Sequence, residues 1–99
     1  MRSPEGWEKI EIKRYLDALP GCWHFSPYQA GFGKGGIPDI VGCYKGRLYS
    51  IEVKREGKAP TRLQSQRMWE IVQAGGKVFW GVSAKVTAEF DLWRNSFTT

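Results

Sequence analysis

Apolar positions recur along the chain with two different periods, and the switches between them divide it into elements. Between residues 3 and 19, the order Ser-Pro-Glu followed by Ile12, Tyr15, Leu16 and Leu19 gives an N-cap, a proline at the first helical position and apolar residues at helical spacing. This predicts a first helix over residues 4–19, ended by Pro20-Gly21. On a wheel of about 100° per residue the four apolar side chains share one face. Glu5 and Glu8 fall on that same face one and two turns earlier, and Glu11 lies off it. Acidic residues favour a helix N-terminus in their own right, so the wheel alone gives these two no special role.

Residues 23–26 read as a short strand, and residues 27–36 as a glycine-rich loop containing Lys34. Two alternating runs, 40–44 and 47–54, flank Lys45-Gly46 and predict a β-hairpin in which Tyr44 opposes Arg47. Counting back along both strands sets Asp39 directly across from Glu52, about 5 Å apart at Cβ on one sheet face. Alternation puts Lys54 on that face too, while Tyr49, Ile51 and Val53 face the other way. Pro60-Thr61 opens a second helix carrying Leu63, Met68, Ile71 and Val72, and Gly75-Gly76 ends it. Residues 77–82 form a third apolar strand, and 86–93 fit either a last helix or an extended tail. The order implies one α/β domain spanning residues 1–99, a mixed β-sheet flanked by helices, with no repeat, low-complexity tract or linker.

Composition narrows the class. With 41% apolar, 14% aromatic and 25% charged residues in 99, the chain has the make-up of one globular domain. No apolar run approaches the roughly 20 residues of a membrane span, and the first residues lack the apolar stretch of a signal peptide, so a soluble, intracellular, cytoplasmic protein is expected. Cys22 and Cys43 stand alone, and His24 is the one histidine. A zinc site has too few soft ligands, and both cysteines are expected as free thiols.

The net charge of +5 is carried by the centre. Residues 34–67 hold eight basic and three acidic side chains, and the remainder balances at seven of each. Such a segment suits a phosphate backbone, with Lys34, Arg55, Lys58, Arg62 and Arg67 as candidate DNA contacts, or it is simply a solubilising surface. The glycine-rich loop has neither the Gly-Lys-Ser/Thr of a Walker loop nor a dinucleotide fingerprint; it is either a phosphate contact or a plain connector.

Two carboxylates facing each other across a hairpin repel, so Asp39 and Glu52 call for a cation between them. Oxygen ligands select a hard ion such as Mg²⁺ or Mn²⁺, which keeps sites for water and substrate phosphate. Lys54 beside it would activate a water or hold a phosphate oxygen, and Glu5 or Glu8 would complete the ligand set. The competing account is a surface ion pair of Lys54 with Glu52 or Asp39.

Gly36-Ile37-Pro38-Asp39-Ile40 followed by Ile51-Glu52-Val53-Lys54 resembles the PD-(D/E)XK nuclease superfamily. Gln66 before Met68-Trp69 and then Gly75-Gly76-Lys77-Val78 are similar to its VRR-NUC branch, and the similarity runs over about residues 4–82. The resemblance implies a restriction-endonuclease-like core. It also implies a metal on Asp39 and Glu52 with the Val53 carbonyl as a further ligand, Lys54 assisting the nucleophilic water, and Gln66 positioning the site while Gln64 is exposed. A metal-linked glutamate on the first helix is implied as well: Glu5 fits by spacing, and Glu8 by face although an apolar residue is usual there. Members in which this domain stands alone are similar to phage or bacterial homodimers cutting branched DNA such as four-way (Holliday) junctions. Trp93 or Phe97 would then be interface or core residues. The alternatives are a non-catalytic DNA-binding module and a nuclease acting on flaps or RNA.

Overall fold

The computed structural model describes residues 4–28 and 35–97. The elements follow in the order α1 (Pro4–Asp17), β1 (Cys22–Phe25), β2 (Ile40–Tyr44), β3 (Arg47–Val53), α2 (Arg62–Gln73), β4 (Lys77–Gly81) and α3 (Ser83–Asn95). The strands make one mixed sheet in the order β1-β2-β3-β4. β1, β2 and β3 pair antiparallel, and β3 and β4 pair parallel through the α2 crossover. The expected α/β architecture, a mixed sheet with three helices about it, is therefore present.

The hairpin register is the expected one, with Tyr44 opposite Arg47 and Ile40 opposite Ile51. Its two-residue turn takes positive φ at Lys45 (48°) as well as at Gly46 (87°). Both central residues of a type I′ turn need that region, and glycine supplies only one of them without strain.

Alternation along β2 and β3 sorts the layers. Ile40, Tyr44, Tyr49, Ile51 and Val53 are buried together with Ile12 and Leu16 of α1, Phe79 of β4, and Val86 and Phe90 of α3. Phe90 is the hub of this side, its ring packed on those of Tyr15, Tyr44, Tyr49, Phe79 and Trp93 at centroid distances from 4.9 to 5.9 Å. Trp93 and Phe97, both half-buried, continue the aromatic cluster onto Tyr44 and pack against the core. Gly42 makes room below it. A Cβ there would stand 2.3 Å from the Trp23 carbonyl oxygen and 2.5 Å from the Tyr49 hydroxyl, which donates to that carbonyl at 3.2 Å.

α2 lies on the opposite face, packed on β4 and reaching Glu52 of β3 through Gln64, with Met68 its buried residue. That face keeps Trp23, Phe25 and Leu48 about half exposed toward the β1 edge. The open question of residues 86–93 resolves as helix. α3 begins at Ser83 with no side-chain cap of its own. Two carboxylates of α1 serve instead: Glu8 accepts from the Ser83 amide at 2.6 Å, and Glu11 accepts from the Ser83 hydroxyl at 2.8 Å. The Tyr15 hydroxyl donates to Asp91 and ties the same two helices further along. Several ends fall short of expectation: α1 stops at Asp17, β3 at Val53 before Lys54, and β4 at Gly81. Among the described residues no helix is long and apolar enough to cross a membrane.

Candidate active site

Asp39 sits at the bend that enters β2, behind the buried Pro38. Its Oδ2 accepts from the Val53 amide at 2.8 Å, so the carboxylate is anchored across the hairpin beside Glu52. Glu52, one register step from the Ile40–Ile51 pair, is only 3% exposed. Its Oε2 accepts from Gln64 Nε2 at 3.1 Å, and its Oε1 is buried with no hydrogen-bond partner. Burial, then the neighbouring Asp39 carboxylate, push the Glu52 carboxyl up to about 9, with Glu5 adding to the rise and Lys54 offsetting part of it.

A buried acid with one orphaned oxygen and a second carboxylate beside it is the donor set a hard cation stabilises. Asp39, Glu52 and the Val53 carbonyl therefore suit Mg²⁺ or Mn²⁺. Among the described residues no three His, Cys, Asp or Glu side chains converge closely enough to hold an ion by themselves. Two carboxylates and a carbonyl leave the remaining positions to water and phosphate, as is usual for Mg²⁺.

The alternatives left by the first helix separate here. Glu5 lines a 380 Å³ groove with Gly6, Lys9, Asp39, Val53 and Arg55. Glu8 is spent on the α3 N-terminus, a neighbour that no local pattern reveals. Lys54 is half-buried next to Glu52; among the described residues it forms no ion pair with either carboxylate, so the surface salt-bridge account does not describe it.

The glutamine assignment changes. Gln66 is exposed and reaches Glu70 at 3.4 Å, away from the carboxylates. The half-buried Gln64 is the one that contacts Glu52. It also completes a capping box: Thr61 Oγ accepts from the Gln64 amide at 3.2 Å, and Gln64 Oε1 accepts from the Thr61 amide at 2.9 Å. With its oxygen committed to the helix start, the side chain can present only its NH₂ to Glu52. Thr61-Arg62-Leu63-Gln64 is a legible signal for this, since Thr-x-x-Gln is a capping-box sequence.

The basic residues divide as well. Arg55, Lys58 and Arg62 are exposed, and Arg55 borders the groove. Arg67 is engaged internally, donating to the Gly35 carbonyl at 2.9 Å and to Glu70 at 2.6 Å, so it braces the loop that leads into Asp39. Lys34 lies outside the described residues. Cys22 and Cys43 are free thiols, as expected, and His24 Nε2 pairs with Asp17 at 2.7 Å. No protein-family model and no curated protein sequence matches the chain.

Proposed function

We propose that this protein is a divalent-metal-dependent endonuclease of the VRR-NUC kind, with a restriction-endonuclease-like core, that hydrolyses phosphodiester bonds in DNA. The observation that carries the reading is the buried Glu52 carboxyl, with an orphaned oxygen, against the half-buried Asp39, beside Lys54 and at the edge of a groove that Arg55 borders. Asp39, Glu52 and the Val53 carbonyl would hold Mg²⁺ or Mn²⁺, with Glu5 within reach of its water shell. Bound there, the ion supplies Lewis acidity and a water more easily deprotonated.

The chain's own groups do the rest. The Lys54 ammonium holds the attacking water or a phosphate oxygen as negative charge develops. Gln64 fixes the Glu52 carboxyl by donating to Oε2, and the Val53 amide fixes Asp39. In the reaction a water oxygen bonds to phosphorus, the bond to the leaving sugar oxygen breaks, and the water proton ends on that oxygen or in solvent. Arg55, Lys58 and Arg62 attract the backbone. Branched DNA cut by a homodimer is the substrate form this reading favours. The half-exposed Trp23 and Phe25 on β1, an edge strand among the described residues, offer the dimer surface in place of Trp93 and Phe97.

The decisive experiment incubates the protein with linear, flapped and four-way DNA and with RNA, in Mg²⁺, in Mn²⁺ and in chelator. Cleavage is expected only with metal, with four-way DNA preferred. Asp39→Asn and Lys54→Ala should each reduce it by at least about 100-fold, the usual scale for a general acid–base group. Unaltered cleavage by either variant sinks the site. Binding without cleavage of any substrate identifies a non-catalytic DNA-binding module instead, and preference for RNA or flaps replaces the substrate.

A further inference from the structure

Beyond the carboxylate pair, the strand next to Glu52 carries an aromatic ring that the mechanism leaves unused. β3 and β4 run parallel with Glu52 directly beside Trp80, so their side chains share one sheet face on strands about 4.8 Å apart. Trp80 is half-buried and forms the wall of a second groove, of 360 Å³, shared with Arg55, Lys58, Gly81 and Lys85. Three cations and one carboxylate, Glu56, border this groove. Arg55 lines both grooves, so the groove of Asp39 and the groove of Trp80 adjoin at this side chain.

Lys85 is held where it is by the backbone. Its Nζ donates to the Trp80 carbonyl at 2.5 Å, lies 4.1 Å from the indole centroid and pairs with Glu89 at 3.4 Å. Gly81, at φ 132°, leaves the space: a Cβ there would stand 2.9 Å from the Lys85 side chain. Arg55 and Lys58 are exposed, and neither pairs with a carboxylate among the described residues.

We propose that this groove is a nucleotide subsite: an unpaired base of the substrate strand stacks on Trp80, and Arg55 and Lys58 hold the phosphate next to the one that is cut. Every base has a π-face, so an aromatic wall among cations binds single-stranded nucleic acid with little regard to sequence. Lys85 covers part of the ring, and the base is to stack on the indole surface that lines the groove. The placement beside Glu52 fits a strand opened at a branch point, whose unpaired nucleotide reaches the groove when its neighbouring phosphate reaches the carboxylates. The inference rests on the nuclease reading for the identity of the strand, but its binding test does not require catalysis.

The test compares a short fluorescent oligothymidylate with an abasic strand of equal length, both in chelator, by anisotropy. The wild type should bind the thymidylate at least roughly tenfold more tightly than the abasic strand. Trp80→Leu should erase that preference, leaving the abasic strand bound as before, and Trp80→Phe should restore most of it; stacking on one ring is worth roughly tenfold or more. Lys58→Ala should weaken both strands equally and lower the salt dependence by about one counterion. Thermal midpoints check folding, and if Trp80→Leu does not fold, Trp80→Met, which keeps bulk without a π-face, takes its place with the same expected loss of preference. A wild type indifferent to the bases, or a Trp80→Leu protein that keeps the preference, overturns the subsite even where metal-dependent cleavage is observed. Preferences as expected without any cleavage keep the subsite and overturn the nuclease.

Discussion

A carboxyl group that ionises near pH 9 when folded and near its ordinary 4.5 when unfolded makes the metal-free protein acid-loving. Between those values the folded state keeps a proton that the unfolded state has lost, so stability falls as pH rises from about 4.5 through about 9. Glu52→Gln removes the proton exchange, puts an NH₂ beside Asp39 and keeps an acceptor for Gln64. In chelator its thermal midpoint should exceed that of the wild type at pH 8, and the two should converge towards pH 4.5. Mn²⁺ at pH 8 should raise the wild type and leave the variant nearly unmoved. Parallel pH profiles would show that Glu52 is not the buried acid described here. The same scale separates the two glutamines: Gln64→Ala should lower cleavage and also cost about 1 kcal/mol of stability through the lost cap, whereas Gln66→Ala should change neither appreciably. Proximity to Met68-Trp69 singles out Gln66 in the sequence, yet two residues apart on a helix is about 200° of rotation, and only Gln64 can face the sheet.

Among the elements, the hairpin was legible because its information is local. A Lys-Gly turn and period-two alternation fix the register, and the register alone brings Asp39 to Glu52. α3 was not, because its N-terminal partners lie on α1. The residues before it, Gly81 and Val82, offer no capping side chain, and the carboxylates that replace one are more than 70 positions away in the chain. The same contact removes Glu8 from the metal question. Glu8→Gln should therefore lower stability by about 1 kcal/mol with cleavage retained, and Glu5→Gln should weaken metal dependence with little loss of stability, as read by melting and by Mn²⁺ titration of activity. Cleavage lost with Glu8→Gln and kept with Glu5→Gln would reverse the assignment. Gly42→Ala tests the sheet itself: with backbone oxygen 2.3 Å from the new methyl, β1 and β2 must part, at a cost of about 1–3 kcal/mol or more.

For the whole molecule, one sheet separates two jobs. The side covered by α1 and α3 holds the aromatic core, the side under α2 holds the Glu52 carboxyl and the half-exposed β1 aromatics, and the Trp80 groove lies at the end of β4 where α3 begins. Substitutions should divide along that line. Phe90→Ala, at the hub of the core, should cost about 3–5 kcal/mol. Trp93→Ser should destabilise without altering the oligomeric state at temperatures where it folds. Trp23→Ser should leave the melting temperature within a few degrees and shift the molecular mass measured by light scattering from dimer to monomer. A wild type that is monomeric at every concentration refutes the dimer outright.

The anchoring of Asp39 by the Val53 amide spans 14 positions of chain, and it lies within the hairpin that is the shortest-range tertiary contact between strands. Its consequence is kinetic. Short loops close early in folding, so Asp39 meets Glu52 while that side chain is still solvated and ionised, and their repulsion opposes closure of the hairpin until burial protonates Glu52. Magnesium or manganese should consequently accelerate refolding in stopped-flow experiments, and Asp39→Asn should refold faster than the wild type in chelator. If the proposed ion binds, the timing of its arrival, and not only its affinity, would then set how quickly a newly made chain reaches its folded form.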